Sequence, residues 1–336
     1  MKPFSAYIRN IFNQMRIIGR ALVNRLYGEN KGLLYKIMDT KEFAKWNGQH
    51  FEIVKAPGLY HLVRSKLKSL SKEAQGSQFV QTKSGDILTI DDIKKFQKNS
   101  IKPSLFANVI KILTIFDDMR IPATEFDKKS EEVVVANGIL NLKTGQLREH
   151  NPDCMSTRMI QVNYMKDSEC PVFRKFIKEI SDDEEEFEKY LQVVLGYFLT
   201  SDIRQQKFFI SFGLGANGKS VLFKTILKLF AGYGAYTHPS TILKKSNSQT
   251  TSDLPRLKKA RLVVAAETNL DSKIDESTIK AITGGEQIVA RELFKNFQTY
   301  DPQYKVVLCT NNFPEMGMPM KNPRVLAGEK VTDCGR

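Results

Sequence analysis

A glycine-rich segment in the second half of the chain constrains the fold most strongly. Residues 213–220 read GLGANGKS, which satisfies the spacing G-x-x-x-x-G-K-[ST]. The apolar run KFFISF precedes it, and KSVLFKTILKLFAG follows with helical periodicity, which predicts an apolar face of Val221, Leu222, Ile226, Leu229 and Phe230. A strand, a glycine loop and a helix in this order typically form a phosphate cradle. This context argues against a chance cluster of turn residues.

Each position of the segment has a physical role in such a cradle. Glycines let the backbone approach a phosphate closely, and the helix that follows presents its positive end to the anion. Lys219 can reach the terminal phosphates, and Ser220 can ligate Mg²⁺. The predicted nucleotide contacts are Gly213, Gly215, Ala216, Asn217, Gly218, Lys219, Ser220 and Val221.

Two further strand ends carry polar side chains suited to nucleotide hydrolysis. RLVVAAE ends in Glu267, which we predict to hold the metal or polarise the attacking water; the alternative is a simple edge charge. KVVLCTNN ends in Asn311 and Asn312. Asn311 can position the water or sense the terminal phosphate, or the two asparagines can form an ordinary turn after a strand.

The order of elements predicts the fold class. Strands alternate with helices after residue 205, which predicts an α/β fold with a parallel sheet and helices on both faces. Upstream, residues 131–150 read as a hairpin and residues 170–200 as two helices, the second capped by Ser181 or Asp182. Residues 1–125 read as mostly helical, with a short hairpin or turn in WNGQHFEI at 46–53.

Composition narrows the partners and the compartment. Lysine and arginine total 51 against 37 acidic residues, a formal charge of +14 that favours a polyanionic partner. The four cysteines show no metal-binding or disulfide spacing, which favours a reducing, cytoplasmic location. The basic, amphipathic first 28 residues favour a helix packed on its own domain over a transit peptide or a lipid-surface helix, and we expect no membrane partner.

Four ordered segments resemble a known family. FGLGANGKS, SDLPRLKKARLVVAAETN, IKAITGGEQIVARELFKNFQTY and YKVVLCTNNFP occur in the order and spacing of the superfamily 3 helicases. The chain is similar in particular to the phage and plasmid primase-helicase family and to the related poxvirus-type replication helicases. VVVANGILNLKTGQL and CPVFRKFI also resemble the segment that precedes the motor in that family.

The resemblance implies an AAA+-type ATPase that uses ATP and Mg²⁺ and assembles as a ring, commonly a hexamer, around single-stranded or forked DNA. It implies that Lys219 and Ser220 contact phosphate and metal, and that Glu267 and Asn311 are the catalytic acid and the sensor. It also implies a DNA-gripping hairpin within residues 280–297. The predicted DNA contacts are Arg291, Lys295 and Asn296.

The chain departs from the family in two places. Only Arg324 lies near the position of an arginine finger, so that region looks incomplete, and residues 1–125 lack the aspartate cluster of a primase. We expect a helical region at 1–130, a connecting segment at 131–204 and an ATPase domain at 205–336. The predicted function is an ATP-dependent DNA helicase in replication of a virus, phage or plasmid-like element. The alternatives are a nucleotide-dependent DNA-binding ATPase that does not unwind and, less favoured, a small-molecule kinase.

Overall fold

The computed structural model describes residues 19–38, 40–77, 79–81, 87–89, 103–213, 217–244, 254–266, 273–290 and 298–314, with Asp91 and Lys94. Contacts divide the chain into two units. The first comprises Met1–Lys128 and Asn151–Thr157, and the second comprises Lys129–His150 and Arg158–Arg336. The predicted boundaries at 130 and 204 stay predictions.

The first unit combines helices with a mixed sheet. Its described helices are α1 (residues 19–30), α2 (Tyr60–Ser77) and α3 (Pro103–Leu113). The sheet has the order β3-β2-β1-β6, built from β1 (Leu34–Ile37), β2 (Glu42–Trp46), β3 (Phe51–Lys55) and β6 (Arg120–Ile121). A separate ribbon pairs β4 (Phe79–Gln81) with β5 (Ile87–Thr89). The prediction of a mostly helical region therefore holds for the helices but missed the sheet, because its short, lysine-containing strands also fit a helical pattern.

Two apolar clusters hold this unit together. The larger contains the buried faces of the three helices with Leu34 and Phe43 of the sheet. The smaller contains Ile37, Ala44, Phe51 and Phe126. Phe51 lies 5.3 Å from the Trp46 ring and 5.4 Å from the Phe126 ring, centroid to centroid, so the single tryptophan packs against the aromatic side chains of this cluster.

The predicted hairpin at 46–53 is confirmed, and its turn is built by one side chain. Asn47 Oδ1 accepts hydrogen bonds from the backbone N–H groups of Gln49 and His50, both at 2.9 Å. Gly48 has φ +103°, which a residue with a side chain adopts only with strain. The turn therefore joins β2 and β3 as an antiparallel pair.

The second unit begins with the predicted hairpin and helix pair. Strands β7 (Glu132–Val135), β8 (Gly138–Asn141) and β9 (Leu147–Arg148) form a three-stranded sheet. Helices α4 (Pro171–Ile180) and α5 (Glu185–Leu199) follow. The predicted cap is wrong: α5 starts after Glu184, without a side-chain cap, while the Ser181 hydroxyl donates back to the Ile177 carbonyl at 2.7 Å.

The sheet of the second unit is fully parallel, in the order β10-β15-β12-β11. Its strands are β10 (Phe209–Phe212), β11 (Gly234–Thr237), β12 (Leu262–Ala266) and β15 (Lys305–Thr310). The remaining elements are α6 (Lys219–Phe230), α7 (Leu254–Leu257), α8 (Glu276–Gly284), β13 (Ile288–Ala290) and β14 (Gln298–Tyr300). Three of the four parallel strands were predicted; β11, with its glycine and polar residues, was not.

Helices cover both faces of this sheet, as predicted for the fold class. Along β12, Leu262 and Val264 pack into a cluster with residues of α5 and α6. The alternate residues Val263 and Ala265 pack into a second cluster with residues of α7 and α8. Strands buried on both sides read as continuous apolar runs, which is why β12 and β15 were recognisable in the sequence.

The buried face of α6 differs from the predicted one. Leu222, Ile226 and Phe230 are buried as expected, together with Phe223 and Leu227. Val221 and Leu229 are instead 56% and 42% exposed. The apolar stripe is wider than one face, so periodicity alone did not fix which edge of it meets the sheet.

Candidate active site

The parallel sheet brings the predicted catalytic segments to one edge. Phe212, the last residue of β10, pairs with Thr310 at the end of β15. Cys309, one residue earlier, pairs with Ala266 at the end of β12. Gly213 and Asn311 directly follow β10 and β15, so they leave the sheet side by side. Glu267 is the next residue in the chain after β12, and it lies outside the described residues. Ligands of parallel α/β sheets bind at such carboxyl ends.

Lys219 is the first residue of α6 and is buried, with 6% of its surface exposed. Its ammonium group donates to the Gly213 carbonyl at 2.5 Å and to Asn217 Oδ1 at 2.8 Å. Burial lowers the pKa of Lys219 because the charged form loses hydration, and the nearby Cys309 acts in the opposite direction. A cation held this way inside a loop is a site that an anion would stabilise.

The amide of Asn217 also fits an anionic ligand. Its oxygen accepts from Lys219, whereas its Nδ2 is buried without a hydrogen-bond partner among the described residues. A Cβ at Gly213 would lie 2.0 Å from that nitrogen, so a larger residue there would push the Asn217 amide out of this position. Two donors, one charged and one unsatisfied, therefore lie within the loop. This set fits the phosphates of a nucleotide.

Gly218 is required by both its backbone and its surroundings. It has φ +81°, and its carbonyl accepts the hydrogen bond from Leu222 N at 2.9 Å that starts α6. A Cβ there would lie 2.5 Å from Ile180 Cγ2 and 3.3 Å from the Phe176 ring. The end of α4 therefore packs directly against the glycine loop, a contact that the sequence did not reveal.

Ser220 and Val221 lie in the first turn of α6, and both are exposed. An exposed hydroxyl next to the buried Lys219 is accessible to a hydrated Mg²⁺ ion, which keeps several of its waters when bound. The described residues contain no group of three or more His, Cys, Asp or Glu side chains arranged to hold a metal. A metal at this site would therefore depend on Ser220, an acid such as Glu267, and the phosphates themselves.

Asn311 follows β15 at the top of a tight turn. Thr310 builds this turn: its hydroxyl donates to the Asn312 carbonyl at 2.6 Å and accepts from Asn312 N at 3.1 Å. Asn311 and Asn312 are exposed, and the Phe313 ring packs edge-on against Phe212, with 5.7 Å between centroids. The predicted turn is therefore confirmed, and it lies beside the end of β10. The role of Asn311 toward water or phosphate stays a prediction.

Cys309 was not singled out by the sequence, and it lies behind the loop. Burial raises the pKa of its thiol to about 12, an effect that Lys219 and a hydrogen bond with Ser211 partly offset. Ser211 lies directly opposite it on β10. The thiol is therefore uncharged at neutral pH and packs in the interior. In the sequence, only its position near the end of a buried strand could have predicted this burial.

Two buried cations lie at the opposite, amino-terminal ends of the same strands. The Arg261 guanidinium donates to the carbonyls of Leu199 (2.7 Å), Glu132 (2.8 Å) and Lys129 (3.0 Å). The Lys305 ammonium donates to the Thr200 carbonyl. Burial, with a contribution from Arg261, lowers the pKa of Lys305 to about 7. Neither residue was predicted, because each is visible in the sequence only as a basic residue before an apolar run.

Several predicted site residues lie outside the described residues. They are Gly215, Ala216, Glu267, Arg291, Lys295, Asn296 and Arg324. The stem of the predicted DNA hairpin is described: β13 and β14 pair antiparallel, with Ile288 opposite Tyr300 and Ala290 opposite Gln298. A hairpin is therefore confirmed, but its strands lie at 288–290 and 298–300 rather than within 280–297, because residues up to Gly284 belong to α8. Its tip at 291–297 is not described.

Comparison with known proteins supports the family assignment. Residues 21–182 match the family "D5 N terminal like", and residues 212–324 match a family of unknown function, DUF5906. The chain is 26% identical over 229 residues to "Putative helicase L207/L206" of Acanthamoeba polyphaga mimivirus. The predicted resemblance to this group of helicases is confirmed. The aligned region is 66% of this chain and 23% of that relative, so the chain spans about a quarter of the relative's length.

A solved structure shares the fold. The apo A form of the NrS-1 C-terminal region superposes with a TM-score of 0.51 at 12% identity, over 89% of this chain and 59% of that one. At this identity the likeness concerns the fold alone. Among the described residues, no helix is both long and apolar enough to span a bilayer.

Proposed function

We propose that this chain is an ATP-dependent DNA helicase or translocase that acts in replication of a viral, phage or plasmid-like element. The observation that carries the proposal is the buried Lys219, held at the start of α6 between Gly213 and Asn217. The mimivirus relative named as a helicase supports the reaction class. The position of β15 between β10 and β12 supports an AAA+-type arrangement.

In this proposal the chain's own residues divide the work at the sheet edge. On nucleotide binding, the Lys219 ammonium exchanges its two loop acceptors for phosphate oxygens, and the Asn217 amide gains an acceptor. Mg²⁺, bound through Ser220 and Glu267, would neutralise charge developing on the phosphates. Asn311 orients the attacking water, and Glu267 accepts its proton. Arg291, Lys295 and Asn296 of the hairpin would contact DNA, and the position of the hairpin would change with the bound nucleotide. Several copies of the chain, most simply six, would form a ring and move along the DNA in this way.

The test compares two lysines on the same helix. Lys219→Ala should abolish ATP hydrolysis and nucleotide binding while the circular dichroism spectrum stays unchanged. The control Lys224→Ala removes an exposed lysine from α6 and should keep wild-type turnover. Hydrolysis would be followed as released phosphate, with and without single-stranded DNA. Undiminished turnover in Lys219→Ala would refute the site.

A forked duplex separates unwinding from simple binding. A helicase displaces one strand of the fork only in the presence of ATP and Mg²⁺. ATP hydrolysis that single strands stimulate without strand displacement would instead support the DNA-binding ATPase. In that case Arg324→Ala, which removes the candidate arginine finger, should have little effect on turnover.

A further inference from the structure

The first unit carries most of the chain's excess positive charge. Residues 1–128 contain 22 lysines and arginines against 12 acidic residues, a net charge of +10 out of +14 for the whole chain. The predicted DNA hairpin belongs to the second unit, so it does not account for this excess. A long-range field of this sign attracts polyanions to the first unit.

Helix α2 concentrates part of this charge on one face. Arg64, Lys68 and Lys72 follow each other at intervals of four residues, and all three are exposed. The opposite face, through Val63 and Leu67, is buried in the helical core of the unit. At a rise of about 1.5 Å per residue the cations recur roughly every 6 Å along the helix. We refer to Arg64, Lys68 and Lys72 as the basic stripe.

The basic stripe continues onto the neighbouring sheet through Lys45. The Lys45 ammonium lies 3.1 Å from His61 Nε2, one turn before Arg64. His61 Nδ1 lies 2.8 Å from the Gly58 carbonyl, which can only accept, so Nδ1 carries the proton and Nε2 accepts from the lysine. The imidazole therefore holds a fourth cation in place without neutralising it.

Three other basic residues of the unit form ion pairs with acidic side chains. Lys66 pairs with Glu29 at 2.5 Å, Lys31 pairs with Asp118 at 2.9 Å, and Lys128 pairs with Glu125 at 2.6 Å. Among the described side chains, no carboxylate lies within 4.0 Å of a stripe residue. Like charges four residues apart on a helix repel each other and destabilise it. The three cations of the basic stripe therefore lower the stability of α2.

We propose that the basic stripe and Lys45 form a second nucleic-acid contact surface, which binds the phosphate backbone independently of the nucleotide site. Regularly spaced cations match a polymer with regularly spaced charges, and the binding is sequence-independent. A membrane surface fits less well because the described exposed face of α2 has no large apolar side chain to insert, whereas lipid-surface helices combine cations with such anchors.

The experiment uses the full chain without nucleotide, so that it does not depend on ATP hydrolysis. Binding of a labelled single-stranded and a labelled double-stranded oligonucleotide would be measured by fluorescence anisotropy between about 50 and 200 mM salt. The test variant is Arg64→Gln/Lys68→Gln/Lys72→Gln. The matched control is Lys41→Gln/Lys111→Gln/Arg120→Gln, which removes three exposed charges from the same unit. Circular dichroism and the thermal midpoint confirm that both variants fold.

The stripe variant should bind DNA at least about tenfold more weakly at low salt, and the slope of log K against log salt should fall by about 2 to 3. The control should change both values much less. Equal losses in the two variants would mean that net charge alone acts, and would overturn the surface. If the stripe variant lost binding to vesicles with 30% phosphatidylserine but kept its binding to DNA, the proposed nucleic-acid surface would be refuted in favour of a lipid surface. Because Lys219→Ala should leave this binding intact, failure of the proposed ATPase and failure of the stripe are distinguishable.

Discussion

Replacement of Gly218 by alanine tests whether α4 supports the glycine loop. The change adds one methyl group at a residue with φ +81°, 2.5 Å from Ile180 Cγ2 and 3.3 Å from the Phe176 ring. Two separate penalties follow. The left-handed backbone disfavours alanine by about 1–2 kcal/mol, and the forced overpacking adds about 1–3 kcal/mol. We expect the free energy of unfolding of the second unit to fall by about 2–5 kcal/mol in total.

A double-mutant cycle separates these two penalties. Ile180→Ala removes Cγ2, the nearest contact, so Gly218→Ala in that background should cost about 1–2 kcal/mol for the backbone and only the smaller part of the overpacking that the Phe176 ring causes. Ile180→Val is the matched control, because it removes the terminal Cδ1 but keeps a methyl group at the position of Cγ2. In that background the alanine should cost nearly the full amount.

Urea unfolding followed by far-ultraviolet circular dichroism gives these free energies. The single tryptophan, Trp46, lies in the first unit, so its fluorescence provides an internal comparison that the substitution at Gly218 should leave unchanged. If Gly218→Ala costs the same in the wild-type and Ile180→Ala backgrounds, the helix does not press on the loop. If it costs nothing at all, the left-handed conformation at this residue is also refuted.

Three further results follow from buried titratable groups and a helix cap. Folding lowers the pKa of Lys305 to about 7, so between pH 7 and about 10.5 the unfolded chain keeps a proton that the folded chain has lost. The free energy of unfolding should therefore rise with pH over this range, by at most roughly 5 kcal/mol. Lys305→Met should abolish this rise, as measured by urea titrations at pH 6 and 9. The buried Cys309 thiol, with its pKa raised to about 12, should resist iodoacetamide at pH 8 under conditions that alkylate the exposed Cys170, as read by mass spectrometry; equal labelling would contradict its burial. Asp275 caps α8 by accepting hydrogen bonds from the backbone N–H groups of Ser277 (3.1 Å) and Thr278 (3.3 Å). Asp275→Ala should lower the thermal midpoint by the equivalent of about 1–2 kcal/mol, whereas Asp275→Asn should retain most of the cap.

The sequence was most informative where a local pattern and its tertiary context agree. The glycine loop, β10, β12 and β15 were predictable because a parallel sheet buried on both faces requires uninterrupted apolar strands. Asn311 could be placed at a strand end, and the register then brings it next to Gly213. These features depend on residues that are close together in the chain.

Features that depend on distant contacts were not predictable. Nothing in α4 shows that Ile180 packs on Gly218, and nothing in RLVVAAE or KVVLCTNN shows that Arg261 and Lys305 are buried. The cap of α5 was misplaced because the acidic run offers several candidate residues, and packing rather than a side-chain cap sets the first turn. The charge of the first unit was visible, but its arrangement on α2 required the helix and its buried face.

Arg261 also determines where the second unit can be cut. Three of its acceptors, the carbonyls of Lys129, Glu132 and Leu199, lie upstream of the strand–loop–helix core. A fragment that begins at residue 205 would delete all three, so the Arg261 guanidinium would lose these hydrogen bonds. Such a fragment should be less stable than one that also contains residues 129–204.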